Sequence, residues 1–232
     1  MAKRPVVFVG LLLLASLIFT LFPQVDQGVS GLFYRSGGGF FLYANPIIRT
    51  INGVVPPLAV GSGIVLVTIL AWAGWTKRPV AGLSWRAAAY LLAVLLVAPG
   101  LLANTVLKDH WGRARPSHTV AFGGKKTFTP ALIVSDQCDH NCSFVCGHAA
   151  MAFTPMALAF VLRTRRQRRY ALAAGLGSGG LVGVVRIIEG GHFLSDVLFA
   201  GLLVYGVAWG LATVMLQHIP SRLQSAARRN DE

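Results

Sequence analysis

The sequence predicts an all-α polytopic membrane protein with six transmembrane helices and a short interfacial helix in its first outer loop. Three observations carry this. Hydrophobic residues make up 54% of the 232 positions, charged residues only 12%, and mean hydropathy is +0.61. A soluble domain carries roughly 25% charge, so half that value argues against a water-soluble globule, and the apolar content excludes disorder. Six runs of about 20 residues are apolar enough to cross a bilayer. Finally, the basic excess sorts by side: with the N-terminus inside, thirteen of the 21 Lys and Arg residues fall on inner segments, as the positive-inside rule requires.

The first span, 5–25, follows Lys3 and Arg4 as a signal peptide would. Phe22-Pro23-Gln24 is no small-residue cleavage site, so the span reads as a retained anchor. The outer loop that follows, from Gln24 to Asn52, holds Phe33, Tyr34, Phe40, Phe41 and Tyr43, with Gly37-Gly38-Gly39 as a hinge. Aromatic residues of this kind sit at headgroup level, hence the interfacial helix expected here, either as an anchor or as the wall of a lipid-access site. The second and third spans, 55–76 and 87–107, are joined by an inner segment with Lys77, Arg78 and Arg86.

The fourth span, 145–163, ends at Arg163, Arg165, Arg166, Arg168 and Arg169, most simply an inside anchor and secondarily a contact for anionic headgroups. The fifth, 169–188, carries Gly175, Gly179 and Gly183 at four-residue spacing, which lets helices approach closely. The sixth, 196–217, precedes Arg222, Arg228 and Arg229. Six of the eight acids (Asp26, Asp109, Asp136, Asp139, Glu189 and Asp196) fall outside. Residues 1–232 therefore read as one membrane-embedded domain with both termini cytoplasmic. A net charge of +13 would also suit a nucleic-acid partner, but a charge sorted by topology argues against one.

Polar residues near the membrane concentrate at the outer ends of three spans. They are Lys108 to Pro116 with Arg113 and Arg115, Ser143 to His148, and Arg186 to Asp196 with His192. An ionisable residue at membrane depth costs about 2.5–3.5 kcal/mol on insertion scales, so it usually has a function. Lys108, Arg113, Arg115 and Arg186 are four cations converging on one face, and guanidinium forks suit phosphate. Cys146-Gly147-His148 opens a helix, where free N–H groups and the dipole favour an anion, and Gly147 lets the backbone come close. His192 and Asp196, four apart, share a helical face if the last helix begins there. Asp196 can then orient the imidazole as a nucleophile or base, while His148 can protonate a leaving oxygen. Singly, each residue has a structural explanation: a snorkelling cation, a core histidine, a capping pair. Their joint side and spacing favours a phosphoryl-transfer site, which needs mainly positioning and charge neutralisation and no metal or other cofactor.

Lys108-x6-Arg115-Pro116, a Ser-Gly-His-like element and Arg186-x5-His192-x3-Asp196 resemble the type-2 phosphatidic acid phosphatase superfamily. The motifs span about 90 residues, and the six spans extend the likeness over nearly the whole chain. The resemblance implies a metal-independent lipid phosphatase. It implies His192 as a nucleophile forming a phosphohistidine, Asp196 orienting it and His148 as the acid. It further implies Lys108, Arg115, Arg186 and the Gly147 backbone as phosphate ligands.

Two positions depart from the family pattern. The usual Pro-Ser-Gly-His reads Val145-Cys146-Gly147-His148, and a thiol is a weaker donor than a hydroxyl. The Ser before the family's Arg is Val185. Cys146 is not itself a phosphatase nucleophile, because the Arg such enzymes place six residues on is Ala152 here. Cys138, Cys142 and Cys146 lie four apart, which is atypical for zinc. A Cys138–Cys142 disulfide leaving Cys146 free is the expectation if the segment is a loop on an oxidising face.

Phe22-Pro23-Gln24-Val25-Asp26, the aromatic loop and Asn141-Cys142-Ser143-Phe144 look more loosely like bacterial lipid A phosphatases. The expected substrate is a phosphorylated lipid at the outer face of an inner membrane, most simply lipid A. Phosphatidylglycerol phosphate and undecaprenyl diphosphate are the runners-up, and a lipid phosphotransferase is the alternative reaction. A transporter would need polar residues through the membrane depth, and here they gather at one face.

Overall fold

The computed structural model describes residues 3–216. It is helical nearly throughout, with nine α-helices among the described residues. These are α1 (Lys3–Leu21), α2 (Gln24–Gly31), α3 (Pro46–Thr76), α4 (Trp85–Leu95), α5 (Lys108–His110), α6 (Gly147–Phe153), α7 (Leu158–Val161), α8 (Arg165–Ile188) and α9 (Leu194–Met215). Two two-residue strands, β1 (Tyr34–Arg35) and β2 (Gly39–Phe40), pair antiparallel with Tyr34 opposite Phe40.

Four helical stretches are long and apolar enough to cross a membrane: Pro46–Thr76, Trp85–His110, Arg165–Ile188 and Leu194–Met215. A fifth is reached if Pro5–Leu21 and Gln24–Gly31, bent by 83°, count together. The Gly147–Val161 stretch is apolar but shorter. Expectation and structure part at three spans. The first ends at Leu21 rather than 25, because Pro23 lies at the bend and opens α2. The second begins at Pro46 rather than 55. Asn45 caps it, its Oδ1 accepting from the Ile47 N–H at 2.9 Å, and Pro46 supplies a preset first turn. The fourth is interrupted by a 3₁₀ turn, Thr154–Ala157, where Pro155 has no N–H to donate. Gln217, Arg222, Arg228 and Arg229, which the sequence reading places at the inner end of the sixth span, lie outside the described residues.

Between α4 and α5 the chain runs in a π-helical register from Leu96 to Leu107. The Asn104 amide donates to the Pro99 carbonyl and the Thr105 hydroxyl to the Gly100 carbonyl, each five residues back. The wider helix carries Asn104 and Lys108 to the end where the polar residues gather, and such segments often mark functional sites.

Helix α9 sits at the centre. Its buried face (Ser195, Asp196, Val197, Phe199, Ala200, Val204 and Ala208) packs against α1, α4, α6 and α8. The Tyr90 hydroxyl on α4 donates to the Ala208 carbonyl at 2.9 Å. The three glycines of α8 do what their spacing predicts. A Cβ at Gly175 would collide with Met156, one at Gly179 with the Phe153 ring and one at Gly183 with Val197. Outward faces of α1 and α3 remain apolar and exposed, with Leu13, Leu17, Leu58, Val60 and Ile64 among them, as a lipid-facing surface requires.

The segment between α1 and α3 contains a helix, but not around the aromatics. Helix α2 precedes them and buries Asp26 and Ser30. The aromatics follow on the β1–β2 hairpin, which turns through Gly37 and Gly39, both at positive φ. Tyr34 and Phe40 meet Phe122 edge-on at 5.3 and 5.5 Å, closing the hairpin over the long loop between α5 and α6.

Candidate active site

Three loops and helix ends converge at one end of the bundle. The long loop is stitched back onto the end of the third span. Cys142 N–H donates to the Lys108 carbonyl at 2.9 Å, and Ser143 N–H to the Arg113 carbonyl at 2.8 Å. The Cys138–Cys142 disulfide closes the small loop beside them, and Cys146 is free and buried. The disulfide takes two of the three thiols a zinc site would need.

Asn141, inside that disulfide loop at positive φ, organises two cations. Its side-chain oxygen accepts from Lys108 Nζ at 3.1 Å. Its carbonyl accepts from Arg115 Nε at 3.2 Å and Nη2 at 2.8 Å. Arg186 reaches the same place from the end of α8. Its Nη1 donates to Glu189 Oε2 at 2.5 Å, and its guanidinium lies against Gly191, where any Cβ would collide with it. Burial pushes Glu189 up from the usual carboxylate range, against the pull of Arg186 and Arg49. Arg115 is pushed below its ordinary value, first by burial and next by Arg186, as cations crowded without a counter-ion must be. Lys108, Arg115 and Arg186 all lie within electrostatic reach of His148.

His192 is fully buried in the turn between α8 and α9. Its Nδ1–H donates to the Ser143 carbonyl at 2.7 Å, which leaves the lone pair on Nε2. Burial, above all, pushes its pKa down to about 3, with Asp196 opposing and Arg186 and Lys108 adding to the effect. The ring is therefore neutral at ordinary pH. Buried polar side-chain atoms nearly always have a partner. Four among the described residues have none, and two of those are His192 Nε2 and Arg186 Nε. One is an acceptor with a free pair and the other a donor, the complement of a phosphorus atom and a phosphoryl oxygen.

Three sequence-stated roles are relocated by the structure. Arg113 does not join the phosphate cradle, because its guanidinium is fully buried between two carboxylates. Nη2 donates to Asp26 at 2.8 Å, Nη1 to Asp196 at 2.5 Å, and Nε to the Thr129 carbonyl at 2.9 Å. Asp196 does not hold the imidazole directly. Its Oδ2 is 3.6 Å from His192 Nδ1, since it already accepts the Ser143 hydroxyl at 2.5 Å and the Phe193 N–H at 2.8 Å. It acts on the ring through space at that distance and also holds Ser143, whose carbonyl accepts the Nδ1–H. The Cys146 thiol caps α6, accepting from the Ala149 N–H at 3.5 Å, and is fully buried. Gly147 follows it, tight against the Asn104 amide, which leaves no room for a Cβ.

Lys108, Arg115, Gly147, His148, Arg186 and His192 are thus brought together. The sequence reading missed Asp26, Ser143, Ser195, Asn141 and Glu189 as members of the site. Asp26 stands directly after the first apolar run, Asn141 and Ser143 lie in a stretch that the sequence reading matched only as a motif, and Glu189 lies three residues from its partner Arg186. The pairing of Asp26 with Ser195 of α9, 169 residues apart, had no local signal.

A family model described as the PAP2 superfamily matches residues 86–220. Among curated proteins, a "Lipid A 4'-phosphatase" of Francisella tularensis subsp. novicida (strain U112) is 36% identical over 203 residues, 87% of this chain and 90% of the relative. Proteins of the same name from Rhizobium leguminosarum and Rhizobium etli are 44% and 41% identical over 112 residues. That is 48% of this chain and 47% and 43% of theirs. No solved structure matches. With the matched region covering more than half of the chain and the Francisella relative aligned over nearly all of both, the chain belongs to the PAP2 superfamily.

Proposed function

We propose that this phosphate-ester hydrolase removes a phosphate from lipid A through a phosphohistidine on His192. The observation that carries the reading is the pair of buried, unpartnered atoms His192 Nε2 and Arg186 Nε, set among Lys108 and Arg115. His192 Nε2 attacks phosphorus as the bond to the lipid oxygen breaks. That oxygen leaves with the bonding pair and takes a proton from His148. Lys108, Arg115, Arg186 and the Gly147 N–H hold the three phosphoryl oxygens, where charge must be neutralised. Water, deprotonated by His148, then cleaves the N–P bond and frees the ring. No step needs a metal.

The lipid A assignment is supported by the relatives' name and by the likeness to the Francisella protein along almost its whole length. A bacterial membrane protein follows from the apolar helices and the relatives. The finer placement is an inner-membrane protein with six spans and α2 at the interface, both termini cytoplasmic and the site facing the periplasm. It is supported by the basic run Arg163 to Arg169, which lies at the end of the bundle away from the site.

The test is phosphate release in detergent micelles, with chelator present, from lipid A, phosphatidylglycerol phosphate, phosphatidic acid and undecaprenyl diphosphate. Lipid A is expected to be hydrolysed fastest, and His192→Ala to lose at least about 10³-fold of the rate. Preference for another lipid would replace the substrate. Phosphate passed to an added acceptor lipid instead of water would make the chain a transferase.

A further inference from the structure

Behind His192 lies a buried polar cluster that the reaction as written does not use. Asp26, Arg113, Ser195 and Asp196 are all fully buried. Asp26 comes from α2, far from the other three in sequence. Its Oδ1 accepts the Ser195 N–H at 2.8 Å, and its Oδ2 accepts Arg113 Nη2 at 2.8 Å and the Ser195 hydroxyl at 2.5 Å. Arg113 Nη1 donates to both the Ser195 hydroxyl oxygen and Asp196. Asp196 accepts the Ser143 hydroxyl and the Phe193 N–H.

The partners of the two carboxylates are two backbone N–H groups, the Arg113 guanidinium and the hydroxyls of Ser143 and Ser195. Burial and Asp196 push Asp26 up from the usual carboxylate range, and Arg113 between the two acids opposes them. With both carboxylates ionised, the cluster carries one net negative charge. A salt bridge needing only to be neutral would use a single carboxylate, and burying a second is costly. The surplus charge meets a demand in the reaction. When Nε2 forms its bond to phosphorus, Nδ1 keeps its proton, and the imidazole becomes a cation in a fully buried position. The cluster reaches that ring directly, with Asp196 Oδ2 at 3.6 Å from Nδ1, and through Ser143, whose hydroxyl donates to Asp196 and whose carbonyl accepts the Nδ1–H.

We propose that Asp26 is a positioning residue for phosphoryl transfer. By occupying one side of Arg113 it leaves Asp196 uncompensated, and the resulting negative charge stabilises the cationic imidazole as it forms. The inference rests on His192 being the nucleophile. Fixed charge placed in advance where charge develops is an effective form of transition-state stabilisation.

The test is a single-turnover experiment on the full chain in micelles with lipid labelled in the phosphate. The reaction is quenched in base to preserve phosphohistidine. Rate constant and phosphoenzyme amplitude are read separately, because the amplitude counts folded sites while the rate constant does not depend on them. Asp26→Asn is expected to slow phosphoenzyme formation by about 10- to 100-fold, with amplitude and inhibition by inorganic phosphate unchanged. Ser195→Ala breaks hydrogen bonds of the same cluster but removes no charge, and its rate constant is expected to fall less. Reduced amplitude with an unchanged rate constant in Asp26→Asn would make Asp26 a fold residue only and overturn the proposal. Equal slowing in both variants would overturn it too, by removing charge as the cause. Absence of phosphoenzyme in the unaltered chain would instead overturn the His192 reading, and is recognised by being common to all the chains.

Discussion

The proposed chemistry depends on which ring nitrogen of His192 carries the proton. The Ser143 carbonyl fixes it on Nδ1, which commits Nε2 to the substrate side. Burial then keeps the ring neutral, with a pKa pushed down to about 3, and the sign of its pH dependence follows. Below about pH 6.5 the unfolded chain takes up a proton that the folded chain refuses until about pH 3, so stability falls as pH drops through that window. The loss reaches at most about 5 kcal/mol at the acid end. The thermal unfolding midpoint in detergent is expected to fall between pH 6.5 and 4, and to fall less in His192→Gln. Equal slopes would remove His192 as the source. Position 146 tests a second residue-scale reading. Its thiol faces a helix N–H rather than the substrate, and Ser is a better cap. Cys146→Ser should therefore change activity by less than about three-fold and raise stability by about 0.5–1 kcal/mol. A gain in phosphate release of ten-fold or more would return position 146 to the phosphate cradle.

At the scale of elements, the glycine row on α8 sets how closely α8 approaches α6, the turn after it and α9. That spacing was legible in the sequence because it needs only helical periodicity. Its partners were not, since Met156 and Phe153 belong to a broken segment and Val197 to another helix. Gly179→Ala is expected to lower stability by about 1–3 kcal/mol, because its Cβ would enter the Phe153 ring and force repacking. Gly177→Ala, with open space around its Cβ, should be neutral or slightly stabilising. Thermal unfolding of the two variants side by side is the measurement, and equal behaviour would remove the packing argument. The hairpin after α2 was not legible, because two two-residue strands leave no period to read. Aromatic residues there were read by composition as headgroup anchors, whereas Tyr34 and Phe40 are used to pack on Phe122.

For the whole molecule, charge sorting gives an orientation that accessibility can check. Lys125 and Arg166 are both exposed, the first in the loop at the site end and the second at the far end of α8. A membrane-impermeant maleimide is expected to label Lys125→Cys in intact spheroplasts, and Arg166→Cys only after permeabilisation. Cys138 and Cys142 are in a disulfide and Cys146 is buried, so the background is low. The reverse pattern would invert the topology.

Sequence by itself determined the membrane class, the helical character and the shared end at which Lys108, Arg115, His148, Arg186 and His192 meet. Each follows from local properties: apolar length, charge on connecting segments and residue type at fixed spacing. Tertiary structure decided what each charge faces. Arg113 and Arg115 are two residues apart, yet one is neutralised by Asp26 and Asp196 while the other, held by the Asn141 carbonyl, crowds against Arg186. Asp196 lies one helical turn from His192 and still bonds Arg113 and Ser143 first. Spacing places side chains on a face, but which partner a buried charge takes is settled by the desolvation cost of leaving any one unpaired. That cost depends on residues brought in from distant parts of the chain.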